Sequence, residues 1–326
     1  MLTRDAVIDA YRLLLGRAPE SEAAIAHHQA LGTPERLAET ILRSEEFARR
    51  FRALTGARAA SPIAEVLPPM GSIALTEDPE ALAAMLAETA ETWRRLGEAR
   101  PHHSVMGHPD YLPERVAADA AGAEAAFAAT GEDELALLDA ALARFPEPER
   151  LTAGLCLEIG CGICRMTLPL AARFARVLGI DVSPSHLEIA GAVLARAGAG
   201  NVALRRLTGL ADYAALPEAQ FVYSRYVLHH NAPPVQRAML RAMLGRLAPG
   251  GGAMVQTVTS IEGYAFDTAR HLAEGGRVQE THALPQRAIF ALIAELGLRL
   301  VEVQRDDTAA DQPWLRSFVF LVEAPG

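Results

Sequence analysis

The sequence predicts an α/β protein in which a doubly wound, mostly parallel sheet follows an all-helical N-terminal domain. Residues 155–190 run from an apolar strand through a glycine-containing turn and a helix to a second strand that ends at Asp181. Strand and helix signals then alternate to the end of the chain, as in parallel sheets built from βα units. By contrast, residues 1–55 carry their apolar positions at helical spacing. These three observations define the fold class that we expect.

The N-terminal domain is predicted to span residues 1–55 and to consist of short helices. Apolar residues recur at helical spacing over Asp5–Leu15, and Gly16 and Pro19 then interrupt the pattern. The sequence Thr33–Pro34 is typical of the start of a further helix, because threonine caps a helix and proline fits its first turn. A small helical bundle is the expected result.

Two segments precede the predicted sheet. Residues 56–80 include an alanine- and proline-rich stretch, and we expect a linker there. Residues 81–150 are alanine-rich and helical in pattern, and we expect them to form a cap or lid region. Within this region, residues 98–113 contain several prolines and histidines, so a loop is predicted at that point.

The sheet domain is predicted over residues 151–326, and its later elements follow the first two strands in order. Short apolar runs bounded by turn residues predict strands at 202–207, 221–228, 253–258, 298–303 and 317–322. Amphipathic runs that begin near prolines predict helices at 233–247 and 285–296. The sequence LAPGG, which starts at Leu247, is expected to end the first of these helices.

The first βαβ unit has the features that bind a nucleoside. Gly160 and Gly162 let the backbone approach a ligand, and Asp181 at the end of the second strand can accept hydrogen bonds from ribose hydroxyls. A dinucleotide fingerprint, however, needs glycine at the position of Arg165. A bulky arginine at the helix N-terminus obstructs a pyrophosphate. We therefore expect an adenosine-type cofactor other than NAD.

The sequence E-x-G-x-G that begins at Glu158, followed by Arg165, resembles motif I of class I S-adenosylmethionine (SAM)-dependent methyltransferases. The third glycine of that motif is replaced by Cys164, a small residue, so we expect a retained but slightly altered turn. Two further segments, DVSPSHL from Asp181 and LAPGG from Leu247, are also similar to this family. The resemblance as a whole covers residues 151–326. The resemblance implies a seven-stranded, Rossmann-like methyltransferase sheet whose last strand is antiparallel, with SAM as the cofactor.

Carried over residue by residue, the resemblance also implies a set of cofactor contacts. These come from the glycine turn, the end of the second strand and the segments after the third and fourth strands: Glu158, Gly160, Cys161, Gly162, Arg165, Asp181, Val182, His186, Leu210 and Ser224. The segment after the third strand is shifted from the usual form. The adenine contact there is therefore left open between Gly209, Leu210 and Asp212.

Methyl transfer from SAM is an in-line displacement, which needs an aligned nucleophile and, for a hydroxyl acceptor, a general base. Polar residues that follow the strands should meet outside the carboxyl ends of the sheet. Three histidines are candidate catalytic residues: His282, His229 and His230. His282 is preferred, because its segment is similar to an E-x-H-x-LPQR element of the same methyltransferase subgroup. His229 and His230 could each instead be a structural histidine bonded to the backbone.

The candidate substrate-binding residues are Arg225, Tyr226, His103 and Tyr264. Arg225 belongs to an otherwise apolar strand, where an unpaired charge is costly. We expect Arg225 either to pair with a carboxylate, which is preferred, or to meet an anionic group of the ligand. His103 belongs to a histidine-rich loop that could close over the site, and Tyr264 could instead be a core aromatic residue.

No metal is expected to bind. Cys156, Cys161 and Cys164 have the spacing of ferredoxin ligands, but the chain has no fourth cysteine. We expect three small, reduced residues in the strand and the turn. The histidine clusters have neither H-E-x-x-H spacing nor a clear carboxylate partner in register.

Composition limits the classes of partner. The chain of 326 residues has a formal net charge of −9, which disfavours nucleic acid as a partner. No apolar stretch is long enough to span a bilayer, and the N-terminal sequence lacks the pattern of a signal peptide. We expect a cytoplasmic protein.

The N-terminal sequence LLLGR-x-P, which starts at Leu13, and a later S-x-EF at Ser44 resemble marks of a small all-helical domain of unknown function. In bacteria that domain is often attached to enzymes of surface polysaccharides, so the resemblance implies a glycan-related setting. Protein docking or homo-oligomerisation through this domain follows by association alone.

The predicted function is methyl transfer from SAM to an oxygen atom of a small-molecule or glycan-precursor acceptor, with a histidine base. Two alternatives stay open. A SAM-binding scaffold without catalysis is suggested by Cys164 and by the lack of the Asp/Asn-Pro-Pro-Tyr signature of amine-directed methylation. A nicotinamide-dependent oxidoreductase is disfavoured by Arg165.

Overall fold

A computed structural model of the protein describes residues 2–42, 44, 46–47, 50, 70–276, 280–306 and 314–326. The predicted linker lies outside the described residues as far as residue 69, and so does Glu45 of the S-x-EF sequence. The chain divides into two units, residues 1–67 and 68–326, and each is described by itself.

The helices of the first unit begin at capping residues. Thr3 accepts a hydrogen bond from the N–H of Ala6, and Ser21 accepts one from Ala24, which satisfies free donors at two helix starts. The helices are α1 (Arg4–Ala10), a π-helical turn (Tyr11–Leu15), α2 (Glu22–Gln29) and α3 (Pro34–Leu42). Gly16 ends the π-helical turn in the left-handed conformation. Apolar side chains form one small core: Leu2, Val7, Tyr11, Leu15, Ile25, Leu37 and Ile41.

In the described part of the second unit, a seven-stranded sheet has the order β3-β2-β1-β4-β5-β7-β6. Its strands are β1 (Leu155–Ile159), β2 (Arg176–Asp181), β3 (Val202–Arg206), β4 (Ala219–Ser224), β5 (Leu247–Ile261), β6 (Arg299–Arg305) and β7 (Leu315–Glu323). β7 runs antiparallel to both of its neighbours, and the other adjacent strands are parallel. The predicted sheet with an antiparallel last strand is confirmed.

Helices pack on both faces of this sheet. They are α4 (Pro79–Ala99), α5 (Pro101–Met106), α6 (Pro113–Ala118), α7 (Ala120–Leu142), α8 (Pro148–Thr152), α9 (Thr167–Arg173), α10 (Pro184–Ala197), α11 (Leu210–Ala214), α12 (Pro233–Leu244), α13 (Thr268–Glu274) and α14 (Gln286–Glu295). Successive residues of a strand point to opposite faces. In β4, Val222 joins a core with α4, α12 and α14, whereas Phe221 and Tyr223 join a second core with α7 and α9. The sheet is therefore doubly wound.

The longest helices of the described ranges are α4 and α7. Both contain several charged side chains. Neither these two nor any other described helix is long and apolar enough to cross a membrane.

The strand order reverses at β1, because β2 lies on one side of it and β4 on the other. The connections that leave the two sides of such a point diverge, and a crevice opens at the carboxyl ends of the strands. β1 ends at Ile159, immediately before the predicted glycine turn. The fold thus brings that turn to the edge of the sheet where ligands bind.

Three local predictions are wrong. Residues 98–113 are not a loop, since α5 and a 3₁₀-helix (Pro109–Tyr111) follow α4 there; proline suits the first turn of a helix, where its missing N–H would have no partner. β4 ends at Ser224, before the predicted end at residue 228, because Tyr226 has a φ of +60° that no strand accommodates. LAPGG is the start of β5, and α12 ends before it at Leu244.

Candidate active site

A cavity with about 990 Å³ of empty space opens at the carboxyl ends of β1, β2 and β4. Its walls come from the glycine turn, the residues after β2 and β4, and helices α4 and α5. Most of the predicted site residues line it: Glu158, Gly160, Cys161, Gly162, Arg165, Asp181, Val182, His186, Arg225, Tyr226 and His230. Doubly wound sheets bind their ligands at this edge, outside the carboxyl ends of the strands.

The glycine turn adopts backbone conformations that favour glycine. The angle φ is +80° at Gly160 and +54° at Gly162, and Cys164 takes the same left-handed region with a φ of +73°. The N–H groups of Gly160 and of the next residue donate to the carbonyl of Ile180 at 2.7 and 2.9 Å, which ties the turn to β2. A Cβ atom on Gly160 would lie 2.2 Å from Val227 Cγ2, so this position has no room for a side chain.

Asp181, at the end of β2, organises the backbone around it. Its Oδ2 atom accepts a hydrogen bond from the N–H of Gly162 at 2.9 Å, and its Oδ1 atom accepts one from Ser183 at 2.8 Å. A carboxylate has about four lone-pair sites, so each oxygen keeps capacity for a further donor. The carboxylate therefore connects β2 to the glycine turn and can still accept bonds from a ligand.

His186 connects the start of α10 to helix α5. Ser104 Oγ donates to the Pro101 carbonyl at 2.7 Å and lies 3.0 Å from His186 Nε2, so Nε2 is the donor to the hydroxyl oxygen. The other ring nitrogen, Nδ1, lies 3.8 Å from Asp181 Oδ1. The buried imidazole thus links the cap region to the acid at the end of β2.

Glu158, the last polar residue of β1, is buried in the cavity wall with a 3% exposed surface. Its Oε2 atom has no hydrogen-bond partner among the described residues. Burial raises the pKa of Glu158 to about 7, although the charge of Arg165 opposes the shift. A cation in the cavity would favour the ionised form of this carboxyl group.

Arg165 and Arg225 share one buried carboxylate. Glu134 of α7 accepts from Arg165 Nη2 and from Arg225 Nη1, each at 2.6 Å, and it also accepts from the Tyr223 hydroxyl. Arg225 Nη2 lies 3.2 Å from Asp306 Oδ1. Burial would raise the pKa of Glu134, but the two guanidinium groups outweigh it and lower that pKa. Of the two predicted outcomes for Arg225, pairing with a carboxylate is found.

The 3₁₀-helix Leu228–His230 after β4 carries two histidines in different surroundings. His230 lines the cavity and packs edge-on against Trp93, with 5.1 Å between ring centroids. His229 is buried outside the lining. Burial lowers the pKa of His230 to about 4, opposed by a hydrogen bond to the Glu280 backbone, and burial lowers the pKa of His229 well below its ordinary value. Both shifts favour the neutral form of the imidazole.

A second pocket of about 370 Å³ adjoins the cavity and shares with it His230 and two residues of α4. His282, the preferred base candidate, lines this second pocket and not the first. Its Nδ1 atom lies 2.7 Å from the Tyr264 hydroxyl, and its Nε2 atom lies 3.8 Å from Glu280 Oε2. Burial lowers the pKa of His282 to about 4, although the Glu280 carboxylate opposes the shift.

Besides His229, four predicted site residues lie outside the lining of both pockets: Leu210, Ser224, His103 and Tyr264. Leu210 begins α11, and Leu207 and Tyr213 on either side of it face the cavity instead. Ser224 Oγ donates to the carbonyl of Ile159 at 3.4 Å, inside the sheet. Tyr264 faces His282. Contact of these four with a cofactor or a substrate stays a prediction.

The sequence reasoning missed several acidic and histidine residues near the site. Glu134 is one of several acids on α7, and nothing in the helical pattern distinguishes it. Asp306 directly follows β6, and a carboxylate after a buried strand is a signal that could have been used. Glu88 and His271, which meet beside the second pocket, lie far apart in the sequence.

Part of the chain matches a known protein family. Residues 156–251, from β1 into β5, match the family described as "Methyltransferase domain". The matched segment contains the glycine turn, Asp181 and the two histidines after β4. The match therefore covers the segment that carries most of the cavity lining.

The chain is also similar to curated proteins named "Ubiquinone biosynthesis O-methyltransferase". The protein from Ruegeria pomeroyi is 29% identical over 238 residues, which cover 70% of this chain and 85% of that protein. The protein from Dinoroseobacter shibae is 29% identical over 187 residues, or 56% of this chain. In that second case the chain spans 64% of the relative, just under two thirds of its length.

Solved structures with a partial likeness include the magnesium protoporphyrin IX methyltransferase from Synechocystis PCC 6803 with bound SAH. The TM-score is 0.43 at 18% identity, over 60% of this chain and 82% of that one. The [4+2]-cyclase SpnF gives a TM-score of 0.44 at 16% identity, over 59% of this chain and 80% of that one.

The family match and the geometry of the glycine turn support a methyltransferase of class I. S-adenosylmethionine is the cofactor that this match supports, in agreement with the sequence prediction.

Proposed function

We propose that the protein transfers the methyl group of SAM to a hydroxyl oxygen of a small-molecule acceptor. One observation carries the proposal: a glycine turn, an acid at the end of β2 and a neutral histidine line one cavity at the carboxyl ends of the strands. The relatives named as O-methyltransferases support oxygen as the accepting atom. The resemblance of the N-terminal sequence supports a glycan precursor as one class of acceptor.

The cavity residues fit SAM, which supplies an activated methyl group when it is bound. Asp181 would accept hydrogen bonds from the ribose hydroxyls, since its carboxylate has further lone pairs beyond those that bind the two backbone N–H groups. Glu158, whose Oε2 atom has no partner among the described residues, would accept from the ammonium group. The absence of a side chain at Gly160 lets Val227, another residue of the cavity lining, pack against the turn.

His230 is the general base that we propose. The proton of the acceptor hydroxyl must leave as the new C–O bond forms, and a neutral imidazole can accept it. His230 lines the cavity, and its buried Nδ1 atom has no hydrogen-bond partner among the described residues, so its lone pair can take up the proton. His282 lines only the adjoining pocket and His229 lines neither. We therefore assign those two histidines to supporting roles.

Calorimetric titration of the purified chain with SAM, S-adenosylhomocysteine and NAD tests the cofactor. We expect micromolar binding of the first two and none of NAD. Incubation with SAM and a panel of phenols, alcohols and sugar derivatives then tests turnover through the release of S-adenosylhomocysteine. Failure to bind SAM would contradict the proposal, and binding without turnover on any acceptor would favour the scaffold alternative.

The variant His230→Gln tests the base. We expect kcat to fall by about 10² to 10⁴, with little change in SAM affinity, because the side chain would act on the acceptor rather than on the cofactor. His108→Gln is the matched control, since His108 is an exposed histidine of the cap region beside Asp110 and outside the cavity lining. An unchanged kcat in His230→Gln would remove this residue as the base.

A further inference from the structure

The pocket beside the cavity brings together imidazole and carboxylate groups from three segments. His271 lies on α13, Glu280 and His282 precede α14, and Glu88 lies on α4. One ligand atom each from His271, Glu280 and His282 lies within 4.8 Å of the others. Glu88 Oε2 lies 3.4 Å from His271 Nε2 and extends the group to a fourth side chain.

The lining of this pocket combines carboxylate and imidazole groups. Its described residues include Glu88, Glu280 and three histidines: His230, His271 and His282. Carboxylate oxygens and imidazole nitrogens are ligand atoms that proteins offer to divalent transition metals.

The rings are held in an orientation suited to a metal ion. The Tyr264 hydroxyl lies 2.7 Å from His282 Nδ1, which leaves Nε2 directed to the side of Glu280. Metal-binding histidines are typically fixed in this way, through a hydrogen bond at the nitrogen that does not bind the metal. The Phe266 ring packs against both imidazoles, with centroid distances of 5.2 Å to His271 and 5.8 Å to His282. The backbone N–H of His282 also donates to the His229 carbonyl at 2.7 Å.

We propose that His271, Glu280 and His282, together with Glu88, bind a divalent transition-metal cation. Two imidazole nitrogens combined with carboxylate oxygens suit Zn²⁺, Mn²⁺, Co²⁺ or Ni²⁺. Mg²⁺ and Ca²⁺ prefer oxygen ligands alone, so they fit this set less well. The sequence did not predict this site because Glu88 and His271 lie on separate helices, away from the segment that holds Glu280 and His282.

The pocket adjoins the cavity through His230, Thr89 and Trp93. Under the proposed function, a cation there would lie beside His230, where it could hold a hydroxyl oxygen and favour loss of its proton. This role in methyl transfer rests on the proposed function, whereas the binding of the cation does not.

Metal titration of the full-length, tag-free chain after treatment with a chelator tests the site. We expect one Zn²⁺ per chain by calorimetry, a visible absorption band with Co²⁺, and weaker binding of Mg²⁺. His271→Ala and Glu280→Gln should each weaken Zn²⁺ binding at least about tenfold. His108→Ala should leave it unchanged, because His108 and Asp110 form an exposed histidine–carboxylate pair elsewhere.

Several outcomes would overturn the proposal: no binding of Zn²⁺ or Co²⁺, tighter binding of Mg²⁺, or equal weakening in the His108→Ala control. Thermal unfolding of the metal-free variants checks that they fold. If His271→Ala does not fold, Glu88→Gln, whose side chain is 35% exposed, provides the same test. Titration of the same samples with SAM distinguishes the metal site from the proposed methyl transfer. If the unaltered chain binds Zn²⁺ but not SAM, the metal site is supported and the proposed function is contradicted.

Discussion

Replacement of Asp181 by alanine gives the sharpest test of the cofactor site. The carboxylate of Asp181 accepts bonds from Gly162 at 2.9 Å and Ser183 at 2.8 Å, and under the proposed function it also accepts from the ribose of SAM. Hydrogen bonds to a charged group contribute about 1.5 to 3 kcal/mol each. Loss of one such bond to ribose would weaken SAM binding by about ten- to hundredfold.

The same substitution frees two backbone N–H groups, so it should also lower the free energy of unfolding by about 2 kcal/mol. Urea unfolding measures that loss, and calorimetric titration with SAM measures the affinity. Asp139→Ala is the matched control, because Asp139 forms an exposed ion pair with Arg173 and lies outside the cavity. Such a pair contributes about 0 to 1 kcal/mol, and we expect no change in SAM affinity.

A ribose-modified ligand separates the direct contact from an effect on the turn. S-adenosylhomocysteine and its 2′-deoxy and 3′-deoxy analogues would be titrated into the unaltered chain and into Asp181→Ala. If Asp181 binds the ribose, the unaltered chain prefers a ligand with both hydroxyls and the variant does not. An equal preference in both proteins, or SAM affinity in the folded variant close to that of the unaltered chain, would refute the assignment.

Three further predictions follow from the site. SAM affinity should fall as the pH drops below about 7, by at most about tenfold per pH unit. The cause is protonation of Glu158, whose pKa is about 7, because it removes the charge that attracts the ammonium group. Calorimetry from pH 5.5 to 7 should show this fall in the unaltered chain and a constant SAM affinity in Glu158→Gln. Gly160→Ala should lower the free energy of unfolding in urea by about 2 kcal/mol or more, since φ at this position is +80° and the added Cβ would meet Val227 at 2.2 Å. The control Gly191→Ala has no atom within 4 Å of the added Cβ, and it should raise the free energy of unfolding by about 0.5 to 1 kcal/mol. Glu134→Ala should cost about 3 to 5 kcal/mol by the same measurement, because it leaves two guanidinium groups without their shared carboxylate.

The sheet was predictable because its signals are local. Strands buried on both faces appear as short apolar runs, and the glycines of the turn mark positions with positive φ. Gly160, Gly162 and Asp181 could be assigned to one edge of the sheet because parallel strands end at the same edge. The seven strands with an antiparallel β7 were implied by the family resemblance rather than by these signals.

The partners of the site residues were not predictable in the same way. Arg225 meets Glu134 across 91 positions of the sequence and Asp306 across 81. A charged strand residue indicates that a partner is needed, but the periodicity of α7 does not say which of its acids faces the sheet. The same limit hid Glu88 and His271 from the sequence prediction, although His282 was identified.

The choice among the histidines depended on where β4 ends. In a strand that continued to residue 228, successive side chains would point to opposite faces of the sheet. β4 instead stops at Ser224, and a 3₁₀-helix carries both histidines. The positive φ of Tyr226 causes the change of direction, and the N–H of that residue donates to Gln256 Oε1 at 2.8 Å. As a result, His230 rather than its neighbour lines the cavity.

Cys164 bears on whether the protein is an enzyme or a scaffold. Its left-handed φ of +73° costs about 1 to 2 kcal/mol in a residue with a side chain. That side chain packs with Ala190 and Leu194 of α10, with Sγ 3.7 Å from the Ala190 carbonyl, and it is outside the cavity lining. The turn therefore forms with its two cavity-facing glycines unchanged, and the cost of Cys164 falls on stability rather than on the ligand. An inactive scaffold would require a defect on the acceptor side, at His230 and its neighbours, and Cys164 is not such a defect.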